Sequence, residues 1–127
     1  MKTSFEELKQ TIATLRGPDG CPWDKKQTHE SLIKCLQNES QELIDAIHHK
    51  DDENMKEELG DVLLQVLMHA QIAQEEGKFS IDDVVAYLDE KLHRRHPHVF
   101  GDHTKAATAE EALAVWREMK KKEREGK

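Results

Sequence analysis

Two pairs of acids, Glu39 with Glu42 and Glu58 with Asp61, stand three residues apart in stretches whose apolar spacing reads as helix. At about 100° per residue, Glu39 falls inside the apolar arc of Leu32, Leu36 and Leu43, and Glu42 lies at its edge near Cys35 and Ala46. On the second stretch Asp61 projects between Met68 and Ile72, and Glu58 projects beside Val62 and His69. Four carboxylates aimed into an apolar interface do not stay ionised without a counter-charge. Either pair alone is more often solvated surface charge; the two together point to a cation held by oxygen ligands. Oxygen-only ligands suit Mg²⁺, with Mn²⁺ as a substitute, whereas zinc favours His and Cys.

Such an ion points to phosphate chemistry. A nucleoside triphosphate carries several negative charges, and two unit charges ~5 Å apart repel by roughly 3 kcal/mol at an effective dielectric of ~20. A bound metal relieves that repulsion and activates water, so hydrolysis at phosphorus needs no protein nucleophile. A di-iron carboxylate bundle is the other architecture that buries acids between helices. It pairs each Glu with a His three residues on, and Asp61 stands where that His would be.

Five helical segments are expected to position these residues. Thr3-x-x-Glu6 opens the first, which runs to about Arg16; Ser80-x-x-Asp83 opens the fourth and Thr108-x-x-Glu111 the fifth. The second is expected from about Thr28 to His49 and the third from about Asp52 to Glu76, stopped by Gly77 as a left-handed cap. So short a connection makes these two antiparallel neighbours, which turns Glu39 and Glu42 toward Glu58 and Asp61. Gly60, in mid-helix, suggests close approach by a neighbouring backbone. The third helix is apolar around most of its circumference, so it should be central, with part of it covered by a second copy of the chain. Segments 17–27 and 96–107 read as loops, and 120–127 as a frayed basic tail.

The 127 residues suit one domain spanning 1–127, large enough for a real core. A formal charge of −7 argues against general nucleic-acid or anionic-membrane binding. No apolar run approaches the length of a bilayer span and the first ten residues are too polar for a signal peptide, so a cytoplasmic protein is expected. Cys21 and Cys35 read as reduced thiols, and Pro97 breaks any metal-binding spacing among His93, His96 and His98.

Three segments, in order, carry a specific resemblance. They are Leu15-Arg16-Gly17-Pro18-Asp19-Gly20-Cys21-Pro22-Trp23-Asp24, the acidic stretch from Asn38 to Asp61, and Lys91-Leu92-His93-Arg94-Arg95-His96-Pro97-His98-Val99-Phe100. With them the chain, from about Leu8 to Lys121, resembles the MazG-family nucleoside triphosphate pyrophosphohydrolases, an all-α superfamily. The expected fold is an all-α, MazG-like four- to five-helix bundle, dimeric, with the third helix central. It implies Mg²⁺-dependent hydrolysis of a nucleoside triphosphate to the monophosphate and pyrophosphate, as housekeeping of the nucleotide pool. The family pattern Glu-Glu-x-x-Glu followed by Glu-x-x-Asp makes Glu39, Glu42, Glu58 and Asp61 the metal ligands and catalytic residues. Lys91 and Arg95, four apart on one helical face, are then expected at the phosphates, with Trp116 and Lys120 near the nucleotide. By their own spacing Lys91 and Arg95 read as a solvated patch and Trp116 as core. Trp23 either stacks on the base or plugs the end of the bundle. One position departs: Asn38 stands where the family has the first Glu. That departure keeps open a catalytically weak nucleotide-sensing or interaction bundle.

Overall fold

The structure is a computed structural model that describes residues 3–101 and 105–126. Among them are seven α-helices and no strand: α1 (Phe5–Leu15), α2 (Pro22–Lys26), α3 (Ile33–His49), α4 (Asp52–Glu75), α5 (Ile81–Arg95), α6 (Pro97–Phe100) and α7 (Ala109–Glu125). The all-α expectation holds, and two short helices, α2 and α6, lie in segments expected to be loops. In both, a proline opens the helix, where its missing N–H costs nothing. No helix among the described residues is long and apolar enough to cross a membrane. The chain forms two compact units, Met1–Ile81 and Asp82–Lys127.

In the first unit α4 packs against both α3 and α1, and so is central, as its all-round apolar sequence demands. Its buried side chains are Leu67, Met68, Ala70, Ile72 and Ala73, joined in the core by Ile12, Leu32 and Ala46. The α3–α4 connection is only Lys50 and Asp51. Lys50 adopts the left-handed conformation (φ 55°) that ends α3, and the Asp51 carboxylate caps α4 by accepting the Asn54 N–H at 3.2 Å. Gly77, at φ 73°, stops the chain after α4 as expected.

Two boundaries and one glycine differ from expectation for local reasons. The capping box of α1 is Ser4 with Glu7, not Thr3 with Glu6: Ser4 Oγ accepts the Glu7 N–H at 3.1 Å and Glu7 returns a carboxylate to the Ser4 N–H. Helix α3 begins at Ile33 rather than Thr28, because Thr28 and Ser31 satisfy each other's amides at 2.8 and 3.1 Å and hold the preceding residues as a turn. Gly60 meets no neighbour within 4 Å of where a Cβ would stand, so the expected close backbone approach is absent.

Within the second unit the expected cap of α7 is present: Thr108 Oγ1 accepts the Glu111 N–H at 3.1 Å. The basic stretch from Lys120 is not frayed, since α7 stays helical to Glu125 and Glu123 is bound by two arginines of α5.

Candidate active site

The antiparallel turn at Lys50–Asp51 brings the two acidic pairs together. One carboxylate oxygen from each of Glu39, Glu42, Glu58 and Asp61 lies within 4.8 Å of the others. Glu58 is buried, Glu39 and Asp61 are half-buried, and Glu42 opens to solvent. Two oxygens, Glu39 Oε2 and Glu58 Oε2, are buried with no hydrogen-bond partner. Uncompensated buried acceptors are costly, and a set of them facing one another is what a cation satisfies. Opposite oxygens around a magnesium ion stand about 4.2 Å apart, so the spread of this set fits one ion with small side-chain adjustment.

The electrostatics agree. Glu39 is pushed up to about 7, first by burial, then by hydrogen bonding with Glu42 and by the charges of Glu42, Asp61 and Glu58. Glu58 is raised for the same reasons, burial again first and Glu42 next. Asn38 is exposed, one residue before Glu39 on α3.

Farther along α4 the first unit holds two features that sequence did not reveal, the contacts of Arg16 and of His69. Arg16, at the end of α1, donates to both carboxylate oxygens of Glu75 on α4 at 2.9 Å and to the backbone carbonyls of Asp24 and Gln27. It thereby ties α2 to α4. Trp23, on α2, is 55 % exposed, which removes the end-plug reading. His69, expected beside Glu58, instead stacks on His29 with their Nδ1 atoms 2.7 Å apart. Eleven residues along one helix separate it from Glu58 by roughly 16 Å.

In the second unit Arg95, Trp116 and Lys120 lie together. The Arg95 guanidinium sits 5.0 Å from the centre of the Trp116 ring, and His96 meets the same ring edge-on at 5.2 Å. Arg95 and Lys120 line a cavity of about 340 Å³ with Tyr87, Arg94, Glu123 and Arg124. Lys91, one turn before Arg95 on α5, is half-buried and does not line it. Sequence missed Arg94 and Glu123: Glu123 accepts from Arg94 Nε at 2.9 Å and from Arg95 at 3.1 and 3.2 Å. The only signal was charge complementarity between two helices whose pairing no periodicity reports.

The chain is similar to known proteins. The model of the MazG nucleotide pyrophosphohydrolase domain matches residues 27–100. The chain is 64% identical over 98 residues to the nucleoside triphosphate pyrophosphohydrolase/pyrophosphatase MazG of Thermotoga maritima, covering 77% of this chain and 38% of that protein. It is 44% identical over 121 residues to a nucleoside triphosphate pyrophosphohydrolase of Escherichia coli K12, covering 94% and 46%. An uncharacterized Bacillus subtilis protein, YabN, is 53% identical over 120 residues, 24% of its length. The chain thus spans between a quarter and a half of these relatives. The crystal structure of a MazG-related protein from Thermotoga maritima superposes with a TM-score of 0.74 at 32% identity, covering 91% of this chain and 98% of that one. Family match, relatives and fold agree: the chain belongs to the MazG nucleotide pyrophosphohydrolase family.

Proposed function

We propose that residues 1–127 work as one domain that hydrolyses a nucleoside triphosphate to the monophosphate and pyrophosphate, clearing unwanted nucleotides in the cytoplasm. The observation that carries this reading is the convergence of Glu39, Glu42, Glu58 and Asp61 with two buried oxygens lacking partners. These four would hold Mg²⁺, or Mn²⁺ in its place. Bound there, the ion supplies positive charge to the polyphosphate and lowers the pKa of water. Lys91, Arg95 and Lys120 neutralise and hold the phosphate chain, and Trp116 and the exposed Trp23 offer ring faces to the base. Water attacks the α-phosphorus, the bond to the bridging oxygen breaks, and pyrophosphate leaves.

The working form is a homodimer. Support comes from apolar side chains left exposed on α3 and α4, among them Ile33, Ile44, Ile47, Leu59 and Leu63. Light scattering at working concentration tests it: a molar mass of one chain contradicts it.

Asn38 favours a second reading, a nucleotide-sensing bundle that binds without turnover. One experiment separates them. Incubation with Mg²⁺ and a panel of nucleoside triphosphates, followed by chromatography, should give monophosphate and pyrophosphate. Diphosphate and orthophosphate would contradict the reaction assigned, and binding without any product would favour the sensing bundle.

A further inference from the structure

Among the described residues, Glu123 is the only carboxylate on the wall of the cavity that Arg94, Arg95, Lys120 and Arg124 make positive. It is fully engaged. Its Oε1 accepts from Arg95 Nη2 at 3.1 Å, and its Oε2 accepts from Arg95 Nε at 3.2 Å and Arg94 Nε at 2.9 Å. Arg95 is therefore held along its Nε–Nη2 edge, the edge that also grips a phosphate in bidentate fashion, while one face of its guanidinium lies over Trp116.

From this arrangement we infer that Glu123 is a resident counter-anion of the arginine pair, that an incoming phosphate chain takes its place on Arg95, and that this exchange selects polyphosphates over single phosphates. The inference rests on the reading of Arg95 and Lys120 as phosphate-binding residues.

The exchange has consequences because the pair is not a freely solvated surface contact: the side chains of Arg95 and Glu123 are 14 % and 23 % exposed. Proton uptake does not release Arg95 at working pH, since Arg94 and Arg95 hold the Glu123 carboxyl at about 2. Only a competing anion does. Four cations meet two carboxylates, Glu123 and, through Arg94 at 3.0 Å, Glu90, which leaves two positive charges uncompensated. Orthophosphate carries little more charge than the carboxylate it displaces. A polyphosphate replaces Glu123 on Arg95 and reaches the remaining cations with its other phosphates. The carboxylate thus subtracts about the same amount from every anion, and only the longer chain recovers it.

The ring beside Arg95 provides a readout independent of turnover. In the full chain with Trp23→Phe, which leaves Trp116 as the only indole, emission is followed while inorganic tripolyphosphate or orthophosphate is added in metal-free buffer. Glu123→Gln keeps the side chain's shape and removes its charge. It should bind tripolyphosphate about 10-fold more tightly and strengthen orthophosphate by a similar factor, into the measurable range, so that orthophosphate occupies the site at concentrations where the wild type takes only the longer chain. Glu123→Asp, which keeps the charge, should retain the wild-type affinities, and Arg95→Ala should lose the emission response. Equal affinities in the wild type and Glu123→Gln, or weaker binding in Glu123→Gln, would overturn the inference and leave Glu123 as a staple between α5 and α7. Because neither metal nor hydrolysis enters, a chain that shows the exchange but no nucleotide turnover would refute the proposed reaction alone. Turnover with anion affinities unchanged in Glu123→Gln would refute only the exchange.

Discussion

Glu39 and Glu123 carry the same side chain and are driven in opposite directions. Glu39, in the acidic centre of α3 and α4, is pushed up to about 7 by burial and by neighbouring carboxylates, whereas Glu123, between two arginines, is held at about 2. The first region concentrates like charges and leaves two buried oxygens without partners; the second satisfies its carboxylate from within the chain. The first arrangement is relieved either by protons, as the raised Glu39 shows, or by a bound cation. The second shows how charges look when the fold supplies their partners. The contrast marks the acidic centre, rather than the arginine pair, as the place in the chain that could hold a cation.

The largest test of the contrast removes a ligand. Asp61→Ala or Glu42→Ala should reduce turnover by at least about 10³-fold while helical circular dichroism is retained, because removing one carboxylate also relieves its neighbours. Full activity in either variant, measured with Mg²⁺ over a substrate panel, would remove these residues from the site.

Restoring the family's missing acid should act the other way. Asn38 is exposed, so Asn38→Glu should fold normally. If that carboxylate orients water, kcat should rise by as much as ~10²-fold with little change in KM. Equal turnover at saturating Mg²⁺ would show that Asn38 is neutral.

Stability against pH sharpens the comparison further. In metal-free protein the raised Glu39 carboxyl binds its proton more tightly folded than unfolded. Its contribution is therefore complete below about pH 4.5 and lost as pH rises through about 7. Glu39→Gln, which mimics the protonated form, should melt a few degrees above wild type at pH 8 without metal, and the gap should close at pH 4. Glu123 works with the opposite sign: its contribution is present above about pH 4.5 and lost as pH falls toward 2. Thermal melts of wild type, Glu39→Gln and Glu123→Gln across this range check both signs. A Glu39→Gln advantage that does not depend on pH would contradict the like-charge account.

The smallest effect concerns the turn that aligns the two acidic pairs. Lys50 holds a left-handed conformation that glycine adopts without strain, so Lys50→Gly should add about 0.5–1 kcal/mol in a denaturant titration. A loss of stability would show that the lysine side chain contributes more than its backbone strain costs.

Much of this is legible in the sequence alone. The acidic centre could be read because its logic is local: i, i+3 spacing fixes each pair on one face, and a very short connection fixes the helices that carry them as antiparallel neighbours. Helix α4 announced its centrality through its apolar circumference. What stayed hidden depends on partners far apart in sequence. Arg16 finds Glu75 after 59 residues and Arg95 finds Glu123 after 28, and no periodicity reports such pairings. His69 illustrates the same limit: a helical wheel shows angle and discards rise, so it set His69 beside Glu58 although they lie turns apart. Helices α2 and α6 were missed because four or five residues are too few to display a period.

Hydrolysis of a nucleoside triphosphate in ¹⁸O-labelled water, with mass spectrometry of the products, tests the central claim most directly. Attack at the α-phosphorus by water at the acidic centre should place one heavy oxygen in the monophosphate and none in pyrophosphate, with Asp61→Ala yielding no product. Label in pyrophosphate or orthophosphate would mean that a different phosphorus is attacked, and labelled monophosphate from Asp61→Ala would mean that the four carboxylates are not where the chemistry occurs.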